Sequence, residues 1–246
     1  LISDLADASR APKVERIATL TLQNTTIISA VAQARADLDG FADSLELMVT
    51  DGTLRSKATS SDDSVMTVTA RAGMSANSFA ATVVVNQLAR AQTSVSAVVA
   101  DNSAAIGQGS MTLAVGDKSF AITIDAANDS LNGLVSAINN SGSGVTASLV
   151  SDEGGSRLVL KGATGAANAF TLTADDGSDA NLSQFSYGDG GSMALGQSAA
   201  NAEFTVDGIA FSRSSNIVDD VLGGMSITLK KTSAGQPVEI GASRPL

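Results

Sequence analysis

The sequence contains no His, no Cys and no Trp, and aromatic residues make up only 3% of its 246 positions. Without His the usual nucleophile–base pairs cannot be assembled, and with Cys also missing the common zinc and copper ligands are gone. A single Tyr (Tyr187) and seven Phe leave little from which to build stacking platforms for single-stranded nucleic acid. No Cys means no disulfide framework that would report a redox compartment. Charged residues are only 16% and sum to a net −10, a balance that repels a duplex rather than attracting it. No apolar run approaches the ~18 residues of a membrane helix. The opening, LISDLADASR, lacks the basic and long apolar regions of a secretory signal. Neither nucleic acid nor a membrane is therefore an expected partner.

The searches for chemistry are equally empty. There is no Gly-Lys-Ser/Thr phosphate loop, no completed dinucleotide fingerprint around Gly107–Gly109, and no Ser-x-x-Lys or Gly-x-Ser-x-Gly nucleophile. Asp62–Asp63 and Asp219–Asp220 are adjacent acids on expected turns. Asp175, Asp176 and Asp179 lack the alternating ligands and closing Glu of a calcium loop and read as solvated turns. No catalytic, cofactor-binding or metal site is expected.

What is present is 43% apolar sequence, enough to bury two or three cores at this length. Pro12 suits the first turn of a helix, and Lys13 to Thr50 carries no further Pro and one Gly. Within it Ile17, Leu20, Asn24, Ile27, Val31, Ala34, Leu38, Phe41, Leu45 and Met48 recur at spacings of three and four, a heptad seam. The seam would run about 48 Å at 1.5 Å per residue. Such a stripe requires a partner helix, so Ile17, Leu20, Asn24, Ile27, Val31, Leu38, Phe41 and Leu45 are the candidate helix-packing or oligomer contacts. Asn24 is either a tolerated polar residue in a helical-hairpin core or a selector of assembly register.

From Thr53 the composition turns to Ser, Thr and Asp and then to strand alternation at Val65, Thr67 and Thr69 and at Val83–Val85. Further on, Met111–Val115 and Phe120–Ile124 flank the Gly116–Asp117 turn. Asp129 or Ser130 then caps a short helix with Leu131, Leu134, Val135 and Ile138 on one face, and Val145–Val150 and Arg157–Leu160 form a second hairpin. Phe170–Thr173 is a further strand candidate. A shorter version is expected near the end: Phe204–Val206 and Ile209–Phe211 around Asp207–Gly208, a short helix capped by Asn216, and a strand over Met225–Leu229. Between the two modules 174–202, rich in Gly, Asp, Ser and Ala, reads as a crossing or an exposed loop.

Four segments, in order, carry a resemblance. They are LISDLADASRAPKVERI; SSDDSVMTVTARAGMSANSFAATVVVNQLARAQ; GQGSMTLAVGDKSFAITIDAANDSLNGLVSAINNSGSGVTASLVSDEGGSRLVLKGATG; and AEFTVDGIAFSRSSNIVDDVLGGMSITLKKTSAGQPVEI. Together they resemble the flagellar hook-associated protein 2 family, the bacterial filament cap. Leu131 to Ser148 is also similar to the IN motif shared with some flagellins. The resemblance implies an α+β fold, with a long coiled-coil-like N-terminal helix and two β-rich head domains, one inserted in the other. It places a leg at 1–60, a discontinuous head domain at 61–100 plus 200–246, and the inserted domain at 101–199. VVVN would be a core strand of the leg-proximal head domain and QLARAQ its exit.

The resemblance further implies a non-enzymatic structural protein with no cofactor. It would form a ring-shaped homo-oligomer at the distal, extracellular tip of the flagellum, promote folding and insertion of exported flagellin, and be exported by the flagellar type III apparatus without a cleaved signal. Alternatives are a surface adhesin binding mucin or other host glycans, or a filament or hook-junction subunit. A helical return after the head would be expected of the family; its absence from this sequence implies a fragment, leaving Ile17–Met48 to pair with another copy or stay disordered.

Overall fold

The computed structural model describes residues 2–50, 57–71 and 79–243. The N-terminal unit is one α-helix, α1 (Ile2–Thr50), about 73 Å long at 1.5 Å per residue. It begins well before Pro12, which lies inside the helix rather than in its first turn. The ring holds φ near a helical value, so the helix continues, and the loss is one N–H to the carbonyl four residues back.

The second unit is β-rich. Its chain enters through β1 (Lys57–Ser60), β2 (Met66–Ala70) and β3 (Phe79–Gln87). The middle contains β4 (Ala91–Val95), β5 (Gly109–Val115), β6 (Lys118–Ile124), α2 (Leu131–Asn140), β7 (Thr146–Asp152), β8 (Gly155–Thr164), β9 (Phe170–Ala174) and β10 (Ala194–Gln197). It returns through β11 (Ala202–Val206), β12 (Ile209–Arg213), β13 (Ile217–Val218), β14 (Met225–Leu229) and β15 (Val238–Ser243).

Four antiparallel sheets result, ordered β1-β15-β3-β11-β12, β13-β14-β2, β10-β4-β8-β7 and β6-β5-β9. The first two enclose one core, which includes Met66, Val68, Val83, Val85, Phe204, Ile227 and Ile240. The last two enclose, with α2, a second core that includes Met111, Leu113, Leu134, Ile138, Leu158, Phe170 and Phe185. We call these the first and second lobes. The strands of the second lobe all lie between β3 and β11, so its chain is inserted into that of the first.

The run Val83–Val85 is a central strand. Val83 and Val85 are fully buried while Val84 is half-buried on the opposite face, as period-2 side chains require. Burial of each such valine contributes about 1.5–3 kcal/mol. The strand does not stop at Asn86 but reaches Gln87, held by β15 on one side and β11 on the other. Its neighbour hairpin β11–β12 turns at Asp207 (φ +47°) and Gly208 (φ +81°), the two positive angles of a primed turn. Asp207 is also latched to β3: its carboxylate accepts from the Thr82 N–H at 2.8 Å and its own N–H donates to the Thr82 carbonyl at 2.8 Å.

The hairpin–helix–hairpin module of the second lobe forms as the pattern predicts. Ser130 caps α2 by accepting from the Gly133 N–H at 3.1 Å, and Leu131, Leu134 and Ile138 face the core. The expected second module departs from this. Residues after Asn216 form the two-residue strand β13 paired with β14, followed by turns, and no helix. Asn216 is not a cap, because its carboxamide is engaged on both sides by the backbone of Ala89, accepting at 2.7 Å and donating at 2.9 Å. The segment 174–202 is likewise more ordered than its composition predicts. It holds a 3-10 turn over Ala180–Phe185, and Leu182, Phe185 and Met193 plug the second core.

Candidate functional site

The seam residues occupy one long helix, and none of them is covered. Ile17, Ile27, Val31, Leu38 and Phe41 are 63, 59, 62, 68 and 66% exposed, with Leu20 at 49% and Leu45 at 45%. Asn24 is exposed as well, as is every described side chain from Arg10 to Val49. The structure therefore lines these positions along α1 and brings no second helix against them among the described residues.

Charge is also withheld from the middle of this helix. Ile17 to Ala34 contains no Asp, Glu, Lys or Arg, and Leu22 and Ile28, off the seam, are apolar and exposed too. Thr19, Thr21, Thr25 and Thr26 turn their hydroxyls back to carbonyls four residues earlier, at 2.8–2.9 Å, so their outward surface is largely methyl. Further along, Arg35 and Asp39 approach at 3.9 Å with both side chains largely exposed, worth little in water. Leu38→Asp is expected to lower any helix association by roughly ten- to a hundredfold, the equivalent of the 1.5–3 kcal/mol of one buried Leu. Head unfolding followed by denaturant should not change; an unaltered sedimentation profile of the assembled protein would remove Leu38 from the seam.

In the head, polar side chains serve the backbone. Asp129 accepts from the Ile106 and Gly107 N–H groups, both at 2.8 Å, and Asp179 accepts from the Gln108 N–H at 2.6 Å. Asp175 accepts from the Thr112 hydroxyl at 2.8 Å. Among the described residues no group of three or more Asp and Glu is placed to hold a metal ion.

Three carboxamides do what a neighbouring strand would do, each donating to and accepting from a single residue. Gln92 pairs with Phe170, Asn139 with Ala147, and Asn216 with Ala89. The sequence points to neither Gln92 nor Asn139 and marks Asn216 only as a helix cap, since an isolated Gln or Asn carries no periodic signal.

Among the described residues three carboxylates sit below the ordinary range. The Ser64 hydroxyl and N–H hold Asp62 down, Ser103 does the same for Asp101, and the Arg213 guanidinium, 2.9 Å away, does so for Asp220. A depressed folded value contributes stability above the unfolded value, about 3.9, and that contribution is lost as pH falls through the folded one. Arg213→Gln is expected to raise the Asp220 titration midpoint toward about 3.9 in a carboxyl chemical-shift titration, with little change in stability at neutral pH because the pair is exposed. An unmoved midpoint would mean that Arg213 is not the cause.

Comparison with known proteins bears on what carries such a helix and head. Residues 1–92 match the family model "Flagellar hook-associated protein 2 N-terminus", 110–164 match "Flagellin hook IN motif", and 199–244 match "Flagellar hook-associated protein 2 C-terminus". B-type flagellar hook-associated protein 2 of Pseudomonas aeruginosa is 32% identical over 262 aligned residues, covering 99% of this chain and 55% of that protein. The Aeromonas caviae relative is 29% identical, with 95% and 51% covered. The chain thus spans about half the length of these two curated relatives.

Among solved structures, the D2-D3 domains of the Escherichia coli flagellar cap protein superpose with a TM-score of 0.70 at 30% identity, covering 77% of this chain and 98% of that one. The Pseudomonas aeruginosa PAO1 protein gives 0.62 at 34%, covering 73% and 85%. Both terminal family models are met in chain order around the IN motif, and the two-lobed head has the fold of those solved relatives, so the chain belongs to the flagellar hook-associated protein 2 family.

Proposed function

We propose that this chain is the leg and head of a structural, non-enzymatic cap at the distal end of the bacterial flagellar filament, where the whole protein promotes folding and insertion of exported flagellin. The likeness of its two-lobed head to the solved flagellar cap heads is the observation that carries this reading. The uncovered seam supports it too, because an assembly subunit keeps apolar surface for partners. In this reading the leg expected at 1–60 ends before β1, which already pairs with β15 of the head, and the discontinuous head domain expected at 61–100 plus 200–246 gives way to the inserted one, expected at 101–199, before β4 rather than at 100. Strand β4 marks where the chain changes lobes, since it pairs with β8 and β10 rather than β3.

Ile17, Leu20, Asn24, Ile27, Val31, Leu38, Phe41 and Leu45 are then packing positions for another helix, of the same protein or of a second copy in a ring. Export through the flagellar type III apparatus, without a cleaved signal, places the protein outside the cell. A bacterium deleted for the full-length protein is expected to release monomeric flagellin into the medium and to regain long filaments on complementation. Filaments of normal length without leakage would overturn the cap reading.

A further inference from the structure

Two lobes joined only by crossing strands are expected to move relative to one another unless something holds them. Here the chain crosses twice, outward at Leu88–Arg90 and back at Ser198–Asn201, and backbone groups on both crossings are engaged. Arg90 and Ala200 exchange both hydrogen bonds of an antiparallel bridge, at 2.9 and 3.1 Å. The Arg90 carbonyl accepts a second donor, the N–H of Gly165, at 3.2 Å. Ala89, 4% exposed, has both its N–H and its carbonyl taken by Asn216.

Asn201 ties these parts together. Its carboxamide oxygen accepts from the N–H of Ala166, in the second lobe, at 2.8 Å. Its amide nitrogen donates to the Ser212 hydroxyl of β12, in the first lobe, at 3.0 Å. Its backbone carbonyl accepts from the Gln87 side chain at 2.8 Å. The adjoining Gly165 is buried at φ +102°, and a Cβ there would fall onto the Ser214 side chain and within 2.9 Å of the Ser214 Cα. Backbone of one lobe is thus in van der Waals contact with the other, at a place where only glycine fits. A flexible linker would leave such groups to water.

We propose that the double crossing is a rigid clamp, with Asn201 bonding to both lobes and Gly165 seated against Ser214, so that the inserted lobe is a fixed extension of the first rather than a hinged one. The proposal is independent of the cap reading. It is tested by residual dipolar couplings on the full 246-residue chain, fitted separately to each lobe. In the wild-type protein the two lobes are expected to share one alignment tensor in magnitude and direction. In the double variant Asn201→Ala, Asn216→Ala each lobe should still fit its own fold, with the two tensors separated.

Separate tensors in the wild-type protein would overturn the clamp, and so would a double variant that keeps a common tensor. Should that variant fail to fold, Asn201→Ala alone removes the side-chain bonds to Ala166 and Ser212 and leaves Ala89 paired with Asn216. A partial separation of its tensors then supports the clamp and a common tensor counts against it.

Discussion

Gln92→Ala is expected to destabilise the second lobe by about 2–5 kcal/mol, read as a fall in the denaturant midpoint at unchanged slope. Gln92 is 4% exposed and Phe170 2%. The carboxamide donates to the Phe170 carbonyl at 2.8 Å and accepts its N–H at 3.0 Å. The other edge of Phe170 is occupied by the ladder of β9 with β5, so truncating Gln92 leaves a buried N–H and a buried carbonyl without partners. That desolvation cost, rather than the two lost bonds, sets the size of the effect.

Gln92→Glu separates the explanation from simple loss of packing. It keeps the acceptor but turns the donor into an anion facing a carbonyl, which raises its folded pKa above the unfolded value of about 4.3. A raised carboxyl value means that the penalty is relieved as pH falls through the folded pKa and is fully gone below the unfolded one. The Glu variant should therefore recover stability in acid while the Ala variant does not. Equal pH profiles for the two would sink the reciprocal-bond account.

The second large effect has a sign that helix propensity alone gets wrong. Gly133 lies in the first turn of α2, where replacing Gly by Ala ordinarily gains up to about 1 kcal/mol. Gly133→Ala is instead expected to cost about 2–3 kcal/mol, the upper part of the range for overpacking. A Cβ at this position would overlap the Asn128 carbonyl oxygen and come within 2.7 Å of its carbon and 2.9 Å of its Cα. These are backbone atoms, and they cannot rotate aside.

The loop that brings them there is itself fixed. The Asn128 side chain accepts from the Asp125 N–H at 2.7 Å and donates to the Thr123 carbonyl at 3.0 Å. Thermal unfolding that rises in Gly133→Ala would show that the loop yields, and the close approach would then have no energetic weight.

The strands and α2 were legible because their signals are local. Met111 to Ile124 alternates around a turn dipeptide, Ser130 precedes an apolar face at helical spacing, and Asp207–Gly208 is a primed turn whose two residues take positive φ. The heptad stripe was equally plain, since it is a property of spacing along one helix. Asn216 misled because an amide before a short apolar run looks the same whether it caps a helix or reaches another strand. The 174–202 segment misled because its three plugs, Leu182, Phe185 and Met193, are too far apart to form a pattern.

What one chain segment can decide about itself, its period and its turns, was settled in the order of residues. So was the exclusion of His- and Cys-based chemistry, because those residues are not there to be brought together. The pairing of Gln92 with Phe170, of Asn216 with Ala89 and of Gly165 with Ser214 depended on the tertiary structure. Those partners lie 78, 127 and 49 positions apart, and a contact across such a distance is selected by packing and by the cost of leaving buried backbone groups unpaired, neither of which local sequence records.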